Sequence, residues 1–138
     1  MAKALVRYTG GMQFLGISGS GHSVVIDSSV EGHGNNTGAR PTELLLVAQG
    51  SCSGMDVVSI LTKQRMRFDR LEIELDGKKT TEYPTYIESV VLTYRIWGED
   101  VDEEKFKKAI ELSLEKYCTV SNTMKSKISY EYEINPKG

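Results

Sequence analysis

An α+β fold, with helices packed on the apolar faces of mainly antiparallel sheets, is what three features of this 138-residue chain predict. The first is an opening stretch that reads as three short strands separated by glycine turns. The second is a long, strongly apolar helical segment beginning at Pro41. The third is a pair of segments with clean two-residue alternation, followed by an amphipathic helix and a last alternating strand. The resulting order is β-β-β-α-β-β-α-β. No internal repeat or low-complexity tract interrupts it, and the length suits one domain covering residues 1–138.

Residues 3–8 are strand-like, and Gly10-Gly11 offers a hairpin turn because glycine accepts positive φ without steric penalty. A second strand covers residues 12–18, Gly19-Ser20-Gly21 makes a second turn, and β-branched residues mark a third strand over 22–27. These glycines lack a Gly-Lys-Ser/Thr ending and dinucleotide spacing, so they read as turns and not as a phosphate loop. Gly32, Gly34, Asn35, Asn36 and Gly38 mark residues 28–39 as a mobile loop.

Pro41 fits the first position of a helix, and Glu43 suits the positive end of its dipole. Arg40 is a poor N-cap, which leaves it either exposed or present for another reason. Leu44, Leu45, Ala48, Met55, Val58 and Leu61 give this helix an apolar face. From Leu44 to Ala48 it is apolar nearly all round, which predicts burial at the centre of the molecule. Gly50-Ser51 and Gly54 bracket Cys52 and are expected to break or kink the helix there.

Leu71, Ile73 and Leu75 alternate with Glu72, Glu74 and Asp76, the pattern of a strand with one buried face. Asp76-Gly77 reads as a turn, and Pro84 ends any pairing nearby. Val90, Leu92, Tyr94 and Ile96 then alternate with Val91, Thr93, Arg95 and Trp97. Asp102 is a good N-cap for a helix running to Tyr117, with Phe106, Ile110, Leu114 and Tyr117 as its core stripe. Ile128, Tyr130, Tyr132 and Ile134 set the inner face of the last strand. A helix as apolar as 44–61 needs cover on more than one side, so a homodimer is expected.

The net charge of −2 and a pI near 5.7 supply no field for nucleic acid or an anionic membrane. Mixed charges such as Glu103-Glu-Lys-Phe-Lys-Lys108 read as a solvated helix face. The N-terminus lacks the apolar core of a signal peptide, and no run approaches a membrane span, so a cytoplasmic protein is expected. Structural disulfides are uncommon there, and a cysteine pair is more often catalytic or redox-sensing. Two cysteines without CxxC spacing and two distant histidines, His22 and His33, make no convincing metal site.

Cys52 and Cys118 are the only thiols, and each reads as lying beside a helix boundary. Unpaired N–H groups at a helix end stabilise thiolate, the reactive form. A pair so placed suggests that one sulfur attacks a substrate while the other closes a disulfide. The competing reading is two small buried core residues.

Several segments resemble the OsmC/Ohr superfamily of thiol peroxidases, most of all its YhfA-type, OsmC-like branch. They are Phe14-Leu-Gly-Ile-Ser-Gly-Ser-Gly-His22, Pro41-Thr-Glu-Leu-Leu-Leu46, Gly50-Ser-Cys52, Met55-Asp-Val-Val-Ser-Ile-Leu61 and Lys116-Tyr-Cys118-Thr-Val-Ser121. They cover most of the chain in the family's order. The resemblance implies an OsmC-like fold and an intertwined homodimer with its long central helix buried. It also implies a peroxidatic Cys52, a resolving Cys118, organic hydroperoxides as substrates, and a small or lipoyl-type dithiol as reductant, without metal or other cofactor. An arginine would activate the thiolate and a glutamate would orient that arginine, because an Arg charge never titrates away. In characterised members that glutamate directly follows the proline; here Thr42 does, and Glu43 comes one later. Their arginine lies in the early hairpin, where this chain has Gly10-Gly-Met-Gln-Phe14. Arg40 is the preferred candidate, with Arg7 behind it.

Two other functions compete with a peroxidase. One is a redox-sensing or small-ligand-binding dimer of the same fold. The other is a Cys-His hydrolase or thiol transferase using His22 or His33, which no spacing supports.

Overall fold

Residues 2–138 are described by the structure, a computed structural model. The chain divides into two compact units, the first ending at Leu45 and the second spanning Leu46–Gly138. The chain is α+β, as its patterning predicts.

In the first unit, strands β1 (Ala4–Gly10), β2 (Gln13–Ser18) and β3 (Ser23–Ile26) form an antiparallel meander in that order. Gly10 and Gly11, at φ 116° and 57°, make the first turn in a region that side chains rarely adopt. The segment after β3, expected to be a mobile loop, is organised around the buried Asp27. Its Oδ1 accepts from the Ser28 N–H at 2.7 Å, and its Oδ2 from the N–H groups of Asn35 and Thr37, both at 3.1 Å. Thr37 Oγ1 donates to the same Oδ2 at 2.6 Å. Polar spacing in the sequence conceals this, because one carboxylate collects donors from residues up to ten apart.

Helix α1 (Pro41–Lys63) begins where that loop ends. The Arg40 N–H donates to Glu43 Oε1 at 2.9 Å, the return hydrogen bond of a capping box. Arg40 therefore does occupy the cap position, held by what Glu43 supplies and not by its own side chain.

The second unit carries the remainder of α1, which runs unbroken through Cys52. Gly50 does not break it. A Cβ there would lie 2.6 Å from Leu75 Cδ1, so the missing side chain lets the sheet approach the helix. Strands β4 (Arg70–Lys79), β5 (Ile87–Trp97) and β6 (Lys127–Ile134) form the second sheet in that order. The expected Asp76-Gly77 turn is instead strand interior, with Gly77 opposite Val90, and Pro84 lies in the connection to β5. A Cβ on Gly77 would press on Leu46 Cδ2 at 3.2 Å, which explains a glycine in mid-strand. β4 and β5 pair antiparallel, but β5 and β6 pair parallel. A parallel pair requires a crossover, and helices α2 (Glu103–Leu112) and α3 (Thr119–Thr123) provide it.

The core of this unit joins Val57 and Leu61 of α1, Val90, Leu92, Tyr94 and Ile96 of β5, and Phe106, Ala109 and Ile110 of α2. Asp102 caps α2 by accepting from the Lys105 N–H at 3.0 Å. The predicted helix to Tyr117 changes character at Ser113, where a π-helical turn (Ser113–Tyr117) begins. A wider turn shifts the phase of the stripe, and Tyr117 ends 51% exposed, outside the core.

Burial of α1 is one-sided within this chain. Gln49, Gly50, Ser53, Val57 and Leu61 are buried, whereas Val47 is 61% and Met55 72% exposed. By length and apolarity α1 also passes as a membrane span, which amends the expectation that no segment approaches one. Its buried face carries Gln49 and Ser53 against protein.

Candidate functional site

Cys52 and Cys118 both lie in the second unit, one on α1 and the other on the crossover, whose Cys118 Sγ approaches the α1 backbone at Gln49. Cys118 lies between the π-helical turn and α3, and its Sγ accepts from the Ser121 N–H at 3.4 Å. Its own N–H closes the π turn by donating to the Ser113 carbonyl at 2.7 Å. Cys52 sits mid-helix in α1, so the expectation of a helix boundary holds for Cys118 and fails for Cys52. A thiol at that mid-helix position gains no free N–H groups from its own helix.

Both thiols are free; Cys52 is half-buried and Cys118 is fully buried. Burial pushes the Cys118 thiol up from its ordinary range; the Ser121 hydrogen bonds oppose this, and the neighbouring Cys52 adds to it. Cys118 Sγ also points at the Gln49 carbonyl, 4.0 Å away, one helical turn before Cys52.

Around the thiols lie polar residues that the sequence reading passed over. Gln49 is fully buried, and its Nε2 donates to Ser121 Oγ at 3.1 Å. Its Oε1 is the one buried side-chain nitrogen or oxygen without a partner among the described residues. Ser53 Oγ bonds Tyr94 Oη at 2.6 Å and Ser113 Oγ at 2.8 Å, and Ser113 Oγ donates to Asp56 Oδ2 at 2.9 Å. Burial, foremost, raises the Tyr94 phenol well above its ordinary range. A signal for this network was present: Gln49, Ser53 and Asp56 recur at three- and four-residue spacing on an otherwise apolar helix. Ser113 could not be read so, because the π turn sets its direction.

Arg40 and Glu43 are brought to each other, in the first unit. The Arg40 guanidinium is engaged there, with Nη1 donating to Asn36 Oδ1 at 2.8 Å and to the Gly38 carbonyl at 2.9 Å. Within the second unit, no described Arg or Lys donates to either sulfur. His22 is exposed beside its turn, with Nδ1 3.2 Å from Ser20 Oγ. Among the described residues, no three His, Cys, Asp or Glu side chains gather as metal ligands would.

On another face of α1, a largely apolar groove of about 710 Å3 is lined by Gly50, Gly54, Met55 and Val58, with Leu71 and Ile73 of β4 and the polar Asp69 and Arg70; neither cysteine lines it. Its mouth includes the exposed Met55, so it opens along the uncovered face of α1.

Comparison with known proteins places this arrangement. Protein YhfA of Escherichia coli (strain K12) is 34% identical over 134 residues, covering 96% of this chain and 97% of the relative. A hypothetical protein of Aquifex aeolicus VF5 superposes with a TM-score of 0.85 at 30% identity, over 100% of this chain and 98% of the other. The organic hydroperoxide resistance protein OhrB of Bacillus subtilis shares the fold, with a TM-score of 0.66 at 22% identity and 98% coverage of both chains. The family model described as OsmC-like protein matches residues 32–133. With about three-quarters of its length under that model and both cysteines inside it, this chain belongs to the OsmC-like protein family.

Proposed function

We propose that this protein is a cysteine-based peroxidase that reduces organic hydroperoxides in the cytoplasm. The observation that carries this is a half-exposed Cys52 on α1 and a buried Cys118 whose Sγ lies 4.0 Å from the Gln49 carbonyl one turn earlier on α1, in a fold shared with organic hydroperoxide resistance proteins. The Cys52 thiolate attacks the distal peroxide oxygen; the O–O bond breaks, and the alkoxide takes a proton to leave as alcohol. Cys52 is then a sulfenic acid, oxidised by two electrons. Cys118, as thiolate, attacks that sulfur. The S–O bond breaks, hydroxide leaves and takes a proton to become water, and a disulfide remains. A dithiol reductant, lipoyl-type or small, reopens it by exchange.

A second copy of the chain covers the exposed α1 face in this reading, giving a homodimer. Arg40, oriented by Glu43, is the proposed activating cation, delivered to the partner's thiol or its own.

One observation favours a second reading, a redox-sensing or small-ligand-binding dimer without turnover. Arg40 is held by Asn36 and Gly38, and Glu43 is occupied at the helix cap. Peroxide consumption with a lipoyl dithiol separates the two. Multiple turnovers in wild type, abolished in Cys52→Ser, support the peroxidase; a single oxidation event supports the sensor. The pH dependence of Cys52 alkylation, compared between Cys118→Ser and Cys118→Ser/Arg40→Ala, tests the cation. Identical curves eliminate Arg40 and direct attention to Arg7.

A further inference from the structure

Among the buried polar side chains of the described residues, Gln49 alone keeps an oxygen without a hydrogen bond. Its side chain is fully buried, yet a buried amide oxygen without a hydrogen bond is costly and rare in folded proteins. Three observations place it in the thiol site. It precedes Cys52 by three residues on the unbroken α1, so the two side chains share a helical face. Its Nε2 is anchored to Ser121 Oγ, and the Ser121 N–H is the donor to Cys118 Sγ. Its backbone carbonyl faces the same sulfur. Since Oε1 shares a carbon with the anchored Nε2, the free acceptor is held beside Ser121, whose N–H bonds Cys118 Sγ.

We propose, resting on the peroxidase reading above, that Gln49 is a positioning residue whose Oε1 accepts the hydrogen bond of the Cys52 sulfenic acid. Reduced Cys52 reacts without that acceptor. The incoming hydroperoxide carries an O–H as well, but the sulfenic acid is the species that holds its O–H on Cys52 itself. Binding that hydroxyl fixes the S–O bond, so the sulfur presents its opposite side to Cys118 for in-line displacement. The hydroxide then departs as water, as in the step above, and Gln49 neither gains nor loses a proton. Ser121 ties the acceptor to the attacking thiol, so both partners of the displacement are aligned by one side chain.

The test uses full-length protein with Cys118→Ser, in which the sulfenic acid cannot resolve. One equivalent of tert-butyl hydroperoxide is added, and sulfenic acid is counted over time by dimedone adduct mass. Gln49→Leu, which keeps the bulk and removes the acceptor, should shorten the sulfenic acid's lifetime by about fivefold or more, the scale of one lost hydrogen bond. Gln49→Glu, which keeps an acceptor oxygen, should restore most of it. Iodoacetamide alkylation of reduced Cys52 should differ little between Gln49→Leu and its parent, which a merely structural role would not predict. With Cys118 present, Gln49→Leu should slow disulfide closure more than it slows the initial peroxide step. Equal lifetimes in Gln49→Leu and its parent overturn the proposal while the peroxidase reading stands. Absence of any dimedone adduct in the parent overturns both. Should Gln49→Leu fail to fold, Gln49→Met replaces it, and a lifetime equal to the parent's is again decisive.

Discussion

The two units of this chain are stabilised by opposite means. The second has an apolar core: Val90, Leu92, Tyr94 and Ile96 of β5 are fully buried beneath α1 and α2 residues. The first has no fully buried apolar side chain among its described residues, and every residue of β1 is exposed. What is buried there is a carboxylate, Asp27, which collects four hydrogen bonds from the 28–37 segment. Alternation along β4, β5 and β6 has an internal partner to satisfy, whereas the apolar residues of β1 and β3 have none inside their own unit. One unit should therefore answer to packing mutations and the other to protons.

The largest separation is expected from matched truncations. Leu92→Ala should cost about 2–5 kcal/mol, the range for emptying a packed core position. Leu5→Ala, at a site 53% exposed, should cost roughly 0.5 kcal/mol or less. Urea denaturation at low protein concentration reads both. A large loss for Leu5→Ala would show that a partner covers the meander, and the contrast between units would then belong to the single chain only.

Acid should act on the first unit. Thr37, above all, together with the Ser28 and Asn35 N–H groups, holds the Asp27 carboxyl down at about 2. A lowered folded pKa means stability that is present above the unfolded carboxylate value near 4 and lost as pH falls through about 2. Amide exchange at residues 28–37 should rise across that window in wild type, and in Asp27→Asn it should be fast and flat. Unchanged exchange in Asp27→Asn would dismiss the carboxylate as the organiser.

Tyr94→Phe probes the one polar seam of the second unit. Removing the hydroxyl leaves Ser53 Oγ short of a partner at a fully buried position, for about 1–2 kcal/mol. Because burial raises the folded Tyr94 pKa, wild type should also lose stability as pH rises above about 10, where the unfolded phenol ionises first. Tyr94→Phe should lack that share of the alkaline loss. Smallest is Glu43→Ala, which removes the return bond of the α1 cap for about 1 kcal/mol or less, read by thermal melting. A larger loss, accompanied by altered Cys52 alkylation, would tie the cap to the thiol site.

Much of the fold could be read directly. The alternation at Val90–Ile96 and Ile128–Ile134, the Asp102 cap and the proline start of α1 are local signals, and the elements follow them. Both cysteines were legible as a pair through the motifs around them, and the family match bears out that resemblance. Gly50 and Gly77 were misread as breakers, because a glycine's sequence does not say whether it bends its own chain or admits a neighbour's side chain. Gln49 went unremarked because scattered polar residues on a largely apolar helix look like tolerance until their burial is known.

By itself, then, the sequence determined which segments are helix or strand, which face of each is apolar, and where the two thiols lie along the chain. Periodicity and turn chemistry act over a few residues, so these properties need no knowledge of distant partners. Only the tertiary structure decided that β6 runs parallel to β5, that Ser113 bonds Ser53, and that Gln49 is buried beside the Cys118 sulfur with its oxygen unpaired. Each of those depends on groups that are dozens of residues apart along the chain. A hydrophobic period records that a face wants cover, and it carries no record of what covers it.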